Sequence, residues 1–414
     1  MSSRIPYRLT RRTFGAAAAA AVAAPLPLRT ATGQGTALKV AMILPLSGVQ
    51  AGLGQACMRG AEIAPQVLAD VGVKATVEVT RYDTETKPDT ARIQAEKAIA
   101  DGAHVLIGAF DSGQTLAIAQ VAEQKGVPFI VNIAAAPQIT DQGYKFIFRN
   151  FPTAGMLIQG AMSLQKDLFA ATGRTPKTAV LLSVNDTFGT AMQGGIKAML
   201  PKLQMPYELV DVIAYDPSAK DLSVEVGKAK GTGAELVMPV SRLNDAILLV
   251  QEMVKQRYEP MGIVNPGAPG MYEQQFYKTL GKYSEFCVSN VPWLNPKSLM
   301  TAALEKRFAA RFPDAYFEIN VGFTFEAVLI AADACARAGS TAPDKLREAL
   351  VATNIADHVM VGGPIQFDAK GQNVNIQSAA VQNLKRRPTV VLPPAFAADK
   401  PVFPMPGWNA KERG

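Results

Sequence analysis

Val105-Leu106-Ile107-Gly108-Ala109-Phe110-Asp111-Ser112-Gly113-Gln114-Thr115 decides the fold. Val105 to Ile107 is a short apolar run closed by Gly108, the pattern of a strand buried on both faces of a parallel sheet. Leu116, Ala117, Ile118, Ala119, Val121 and Ala122 continue as a helix. Ser112 and Thr115 therefore fall where a strand's C-terminal end turns into a helix N-terminus. Backbone N–H groups without helical partners and the positive end of the helix dipole suit such a turn to a carboxylate or another anion. Ligands of open α/β sheets bind outside the carboxyl ends of the strands. The plainer role for Ser112 is that of the helix N-cap.

Working outward, the same rhythm repeats. Leu38 to Leu44 predicts a strand, Pro45 to Gly48 a turn, and Gly60 to Leu68 part of a helix. Ala75 to Tyr82 alternates as a strand, and Thr90 to Ala100 predicts a helix with Ile93, Ala95 and Ile99 inward. Pro128 to Val131 is the next strand. After Phe151-Pro152 the alternation restarts, with strands at Thr178–Ser183, Glu208–Ala214 and Leu236–Pro239. Helices are predicted at Ala191–Leu203, Leu222–Lys230, Ala246–Gln256, Leu299–Phe312, Phe323–Ala338 and Leu346–Ala352. Two similar βα series predict an α/β fold of two doubly wound parallel sheets, one per lobe.

The chain is long enough for two lobes, with 414 residues of which 48% are hydrophobic. Thr10-Arg11-Arg12-Thr13-Phe14, followed by an alanine-rich run to Ala24, predicts a twin-arginine signal peptide over residues 1–36. No later stretch reads as a bilayer span, so the mature protein is expected in the periplasm. The signal carries five arginines and no acid, leaving +2 of the +7 formal charge for the rest. That excludes an electrostatic nucleic-acid binder. Lys385-Arg386-Arg387 reads as a hairpin tip. Cys57, Cys287 and Cys335 have no metal-ligand spacing, and their odd number leaves one thiol unpaired within the chain. His104 and His358 are far apart. No nucleophile–base pair, metal cluster or phosphate loop stands out, and Gly108 to Gly113 is not a dinucleotide fingerprint. The expectation is a protein without catalysis, cofactor or metal.

The order of several segments resembles the periplasmic leucine/isoleucine/valine-binding proteins, the type I solute-binding proteins of ABC transporters. The segments are Gly108 to Thr115, Gly126-Val127-Pro128-Phe129, Pro137-Gln138-Ile139-Thr140 and Gly143 to Arg149. Pro45 to Gly48, Asp83 to Pro88, Phe188-Gly189 and Gly363 to Gly371 fit the same pattern. The resemblance implies the type I periplasmic-binding-protein fold, with two lobes joined by three crossovers near Phe151, Val291 and Asn375. The N-terminal lobe would be 37–151 with 291–375, and the C-terminal lobe 152–290 with 376–414. It also implies a monomer that holds a small-molecule solute in the cleft and docks on an inner-membrane ABC permease.

By the same resemblance, the Ser112 hydroxyl and neighbouring amides bind the ligand carboxylate, and Thr115 assists at the same helix end. Amino-acid binders usually carry Thr where this chain has Ala134-Ala135-Ala136, and an aromatic residue where it has Leu53. They place an acid for the ligand ammonium in the loop that here reads Asn265-Pro266-Gly267-Ala268-Pro269-Gly270. Arg242 in the neighbouring loop offers a guanidinium instead, suited to a carboxylate. Phe110, Leu53 and Phe188 are expected on loops at strand ends, giving an apolar lining. The candidate ligand-binding residues are thus Ser112, Thr115, Phe110, Ala134, Ala135, Leu53, Phe188, Arg242 and Asn265. The expected solute is a small apolar or aromatic carboxylate. A branched-chain amino acid is the alternative, and the sensing subunit of a signalling system is another.

Overall fold

A computed structural model describes residues 37–295 and 297–411. The predicted signal peptide lies outside the described residues. The first sheet contains β1 (Leu38–Leu44), β2 (Val77–Asp83), β3 (Val105–Gly108), β4 (Phe129–Val131) and β5 (Ile147–Arg149). Its order is β2-β1-β3-β4-β5, and every pairing is parallel.

The second sheet contains β6 (Thr178–Val184), β7 (Glu208–Tyr215), β8 (Leu236–Val240), β9 (Gly262–Asn265), β10 (Val288–Pro292), β11 (Ser378–Leu384) and β12 (Arg387–Leu392). It is ordered β12-β11-β10-β9-β8-β6-β7. β6 to β10 pair in parallel, and the β11–β12 hairpin adds antiparallel strands at one edge. Lys385 and Arg386 form the exposed tip of that hairpin.

The chain passes between the two lobes three times: after β5, after β10 and before β11. The second passage delivers the helices Leu299–Arg311 and Ile319–Ala338 onto the helix Ala51–Asp70 of the first lobe. Ile319–Ala338 is long and apolar enough to cross a membrane by length and composition, contrary to the sequence reading. Here it is a core helix, with 83% of its most apolar window buried.

Other corrections have simple causes. The helix Pro88–Ala100 buries Ala91, Ala95 and Ala98 and leaves Ile93 half exposed. Its stripe is made of alanines because it packs closely on the helix Ser112–Lys125. The strands β5, β9 and β10, of 3, 4 and 5 residues, were not read from the sequence. Leu53 and Phe188 lie in the first turns of the helices Ala51–Asp70 and Thr187–Lys202, not on loops. These helices start tightly against the preceding strand end. A Cβ on Gly54 would sit 2.1 Å from the Pro45 carbonyl oxygen, and one on Gly189 1.6 Å from that of Val184. Only glycine permits either approach.

Candidate functional site

Each sheet reverses its strand order once, between β1 and β3 in the first and between β6 and β8 in the second. A crevice opens at such a switch point, at the carboxyl ends of the strands. Asp111 follows β3, Asp186 follows β6, and Arg242 follows β8. The two switch points face each other, and these three residues meet there. Arg242 Nη2 lies 2.9 Å from Asp111 Oδ2, and Nη1 lies 2.5 Å from Asp186 Oδ2. The guanidinium also stands 5.3 Å from the centre of the Phe188 ring. Burial opposes the charge on Arg242, but Asp111 and Asp186 more than offset it, so its pKa lies above the usual value.

Beside this ion triad is a small cavity walled by residues of both lobes. Its aromatic and aliphatic lining includes Phe110, Ile133, Phe151, Phe188, Tyr272 and Val291. The same cavity is lined by Ser112, Ala134, Ala135, Arg242, Gly267, Ile319 and Asn320. Thus Phe110, Ser112, Ala134, Ala135, Phe188 and Arg242 come together around one space. Leu53 instead lines an adjoining opening with Gln50, Arg242 and Asn244.

The remaining two candidates do not line the cavity. Thr115 Oγ1 donates to the Asp111 carbonyl oxygen at 2.7 Å and accepts from the Ala109 N–H at 3.3 Å. It braces the turn from behind. Asn265 holds its own loop closed: Oδ1 accepts from the Gly267 N–H at 2.8 Å and Nδ2 donates to the Ala268 carbonyl at 2.5 Å.

The turn around Ser112 is built differently from the expected one. Asp111, not Ser112, is the N-cap, and its Oδ1 accepts from the N–H groups of Gly113 and Gln114 at 2.9 and 3.2 Å. Those amides are therefore already engaged. Ser112 Oγ accepts from the Ala136 N–H at 3.3 Å, which leaves its hydroxyl proton to donate into the cavity. Arg242 is likewise not a free guanidinium, since two aspartates hold its Nη atoms. Its Nε, however, is buried without a partner. A buried donor left unmade costs about 1–3 kcal/mol, so an acceptor on a ligand is favoured there.

The three alanines do not offer free carbonyls. Arg149, fully buried, donates from Nη1 to the carbonyl oxygens of Ala134 and Ala136 at 3.3 and 2.7 Å. The Ala135 carbonyl accepts from the Ala154 N–H at 2.7 Å. Burial pulls the Arg149 pKa down to about 10, still charged at neutral pH.

Acids near the cavity were missed as well. The 265–270 loop has none, but Glu273 lies just beyond it, next to Tyr272, and Glu318 directly precedes Ile319 and Asn320. Glu318 caps the helix Ile319–Ala338, but glutamate is not a residue type that signals an N-cap in a sequence, and Glu273 carries no sequence signal either. A third buried acid, Asp245, accepts from the Tyr215 hydroxyl at 2.6 Å and from the Arg242 N–H at 2.9 Å. It fixes the start of the helix Leu243–Lys255, and burial pushes its carboxyl pKa up.

The sequence pattern of the periplasmic binding protein family matches residues 37–388. One relative, "Leu/Ile/Val-binding protein homolog 8" of Brucella abortus (strain 2308), is 27% identical over 243 residues. That match spans 58% of this chain and 59% of the relative's length. A solute-binding protein of an ABC transporter from R. palustris, solved in complex with benzoate, superposes with a TM-score of 0.73 at 20% identity. It covers 88% of this chain and 98% of its own. A branched-chain amino acid transporter substrate binding protein from Streptococcus pneumoniae, solved with isoleucine, gives a TM-score of 0.71 at 17% identity. The shared portion is 84% of this chain and 95% of that one. These likenesses establish the fold, two lobes of the type I periplasmic-binding-protein class.

Proposed function

Since this chain belongs to the periplasmic binding protein family, we propose that it is the substrate-binding component of an ABC importer, taking a small apolar or aromatic carboxylate in the interlobe cavity. The protein would be exported through its twin-arginine signal and work in the periplasm, delivering solute to an inner-membrane permease. Its mechanism is binding, not chemistry.

One observation carries the solute class. Two cavity-lining residues, one from each lobe, carry a donor without an acceptor, the Ser112 hydroxyl proton and Arg242 Nε, and the rest of the lining is largely apolar. A carboxylate accepts from both, and apolar walls receive the remainder of the molecule. Contacts to both lobes exist together only in the closed form, so such a ligand shifts the hinge equilibrium toward closure.

A branched-chain amino acid is the second reading, favoured by Glu273 and Glu318, buried acids next in the chain to the cavity-lining Tyr272 and Ile319. A thermal-shift screen of aromatic acids, aliphatic acids, 2-oxo acids and amino acids tests both. A ligand at a hundredfold excess over its Kd stabilises the folded form by about 2.7 kcal/mol. The carboxylate reading expects that shift with aromatic or 2-oxo acids. It fails if only amino acids or uncharged amides produce it.

A further inference from the structure

The three passages between the lobes are fastened to one another around one buried carboxylate. Glu326, on the helix Ile319–Ala338, is fully buried. Its Oε1 accepts from the N–H groups of Val359 and Met360 at 2.8 and 2.9 Å and lies 2.8 Å from His358 Nδ1. Its Oε2 accepts from Asn150 Nδ2 at 2.6 Å. Asn150 belongs to the first passage, directly after β5. Its Oδ1 accepts in turn from Nδ2 of Asn373, in the third passage, at 2.8 Å. Both asparagines are fully buried.

The segment 358–363 lies between the second passage and the third. Met360 pairs with Leu294 as an antiparallel bridge, and the Val361 N–H donates to the Trp293 carbonyl oxygen at 2.8 Å. Toward the third passage, the Gly363 N–H donates to the Asn375 carbonyl oxygen at 3.0 Å, and the Gln377 N–H donates to that of Val361 at 3.1 Å. Both oxygens of Glu326 are thus engaged by the connections between the lobes. Hydrogen bonds to a buried charge are stronger than neutral ones, and pulling one partner away leaves the charge without compensation. A motion that breaks this cluster is therefore disfavoured. Bending is left to the junctions just beyond it, at 152–153, 292–293 and 377–378, next to the helix Ala154–Thr172, β10 and β11. Hinges are commonly a few such loop or element-terminal positions.

We propose that Glu326 is a positioning residue for closure: through Asn150, Asn373 and the 358–363 segment it locks the three passages into one pivot, so that the lobes meet in the orientation that brings Ser112 and Arg242 to a common cavity. A looser pivot spreads the lobes over arrangements that cannot bind, and apparent affinity falls with the competent fraction. The proposal concerns the closing motion and holds whichever solute the cavity takes.

The test is the interlobe distance distribution of the ligand-free protein, measured by pulsed electron paramagnetic resonance. Spin labels are placed through Lys125→Cys in the first lobe and Lys228→Cys in the second, both exposed positions, in a Cys335→Ser background. Cys57 and Cys287 are buried and stay. In Glu326→Gln and in Asn373→Ala the distribution is expected to broaden at least twofold. Asn132→Ala is the control for stability alone. Asn132 Nδ2 donates to Thr324 Oγ1 of the same helix at 2.9 Å, within the first lobe, so this variant should melt earlier with an unbroadened distribution. If Glu326→Gln does not fold, Asn373→Ala decides, because it leaves the Glu326 carboxylate bonded. Unchanged distributions in the folded hinge variants overturn the proposal, and so does equal broadening in Asn132→Ala. None of these outcomes involves a solute, so the carboxylate reading stands or falls separately.

Discussion

Arg242 and Asp111, 131 residues apart in sequence and on different lobes, form an ion pair of 2.9 Å across the mouth of the cleft. Asp186 grips the same guanidinium from the second lobe. The ion pair would therefore hold a closed cleft shut even without a ligand. Opening the cleft returns Asp111 to water and leaves Arg242 with Asp186. Removing the cation while the lobes stay shut would leave two partly buried carboxylates without their shared partner, at a cost below the roughly 3–5 kcal/mol of breaking a fully buried pair.

Arg242→Gln is accordingly expected to open the unliganded protein. Small-angle scattering is the measurement, and the radius of gyration should rise in the variant and fall again with saturating ligand. Affinity should drop by about a hundredfold or more, a change of about 2.7 kcal/mol or above. Asp111→Asn should act in the same direction but less, because its amide oxygen still caps the helix Ser112–Lys125. Identical scattering curves for wild type and Arg242→Gln would remove the latch from the mechanism.

Ser112→Ala should weaken carboxylate binding by about 1–3 kcal/mol, the range for a hydrogen bond to a charged group. The Ala136 N–H loses its acceptor too, so folding must be checked alongside by thermal melting. Calorimetry giving an unchanged Kd in a well-folded variant would count against Ser112 as an anchor.

Two buried groups make stability fall as pH rises through neutrality. Glu318 is raised from 4.5 to about 7 by burial, opposed by Asn320 and by the positive charge of Arg59. Its folded form binds the proton more tightly than the unfolded chain does. Its contribution is thus full below pH 4.5 and lost as pH climbs through about 7, on the order of 3 kcal/mol in all. His358 adds in the same sense. Its Nδ1 lies 2.8 Å from Glu326 Oε1 and its Nε2 2.9 Å from the Gly363 carbonyl oxygen. That oxygen of Glu326 also accepts from the N–H groups of Val359 and Met360, so both imidazole nitrogens face acceptors, which favours the protonated ring. Burial works against this, but the partners win and the pKa lies above 6.5. Melting temperature is expected to decline from pH 5 to pH 8, with a shallower slope in Glu318→Gln. A slope that is unaltered by the substitution would assign the decline to other groups.

Export is checked separately. N-terminal sequencing of the periplasmic protein should find a start between about Ala31 and Leu38, since small residues follow the alanine run there. Arg11 retained in the exported protein would contradict the signal assignment.

The βα alternation was legible because parallel strands buried on both faces are short continuous apolar runs, and β1, β3, β6 and β8 all read so. Ser112 could be placed at a strand end for the same reason. Asp111 shows what a sequence hides. It occupies the cap that Ser112 might have filled, and its second oxygen meets Arg242 only because two switch points face each other in space. Periodicity carries no information on such long-range pairing. The engagement of the Ala134 and Ala136 carbonyls by Arg149 was invisible for the same reason.

That engagement bears on the solute's α-position. An α-ammonium stands one carbon from its carboxylate. With the carboxylate at Ser112 and Arg242 Nε, the ammonium would enter next to a guanidinium. The loop carbonyls of Ala134, Ala135 and Ala136 already accept from Arg149 and from the Ala154 N–H. Asp111 and Asp186 are turned to Arg242. A 2-oxo or aromatic acid brings only the carboxylate and avoids an unpaired buried charge, which would cost several kcal/mol. Deamino carboxylates are therefore expected to bind more tightly than the matching amino acids. Paired calorimetry decides it, with leucine against 4-methyl-2-oxopentanoate and phenylalanine against phenylpyruvate or benzoate. If the amino acids bind tenfold more tightly, a difference of about 1.4 kcal/mol, an acid in the cleft is receiving the ammonium. Glu273 and Glu318 would then be the residues to substitute, and the branched-chain reading would replace the carboxylate one.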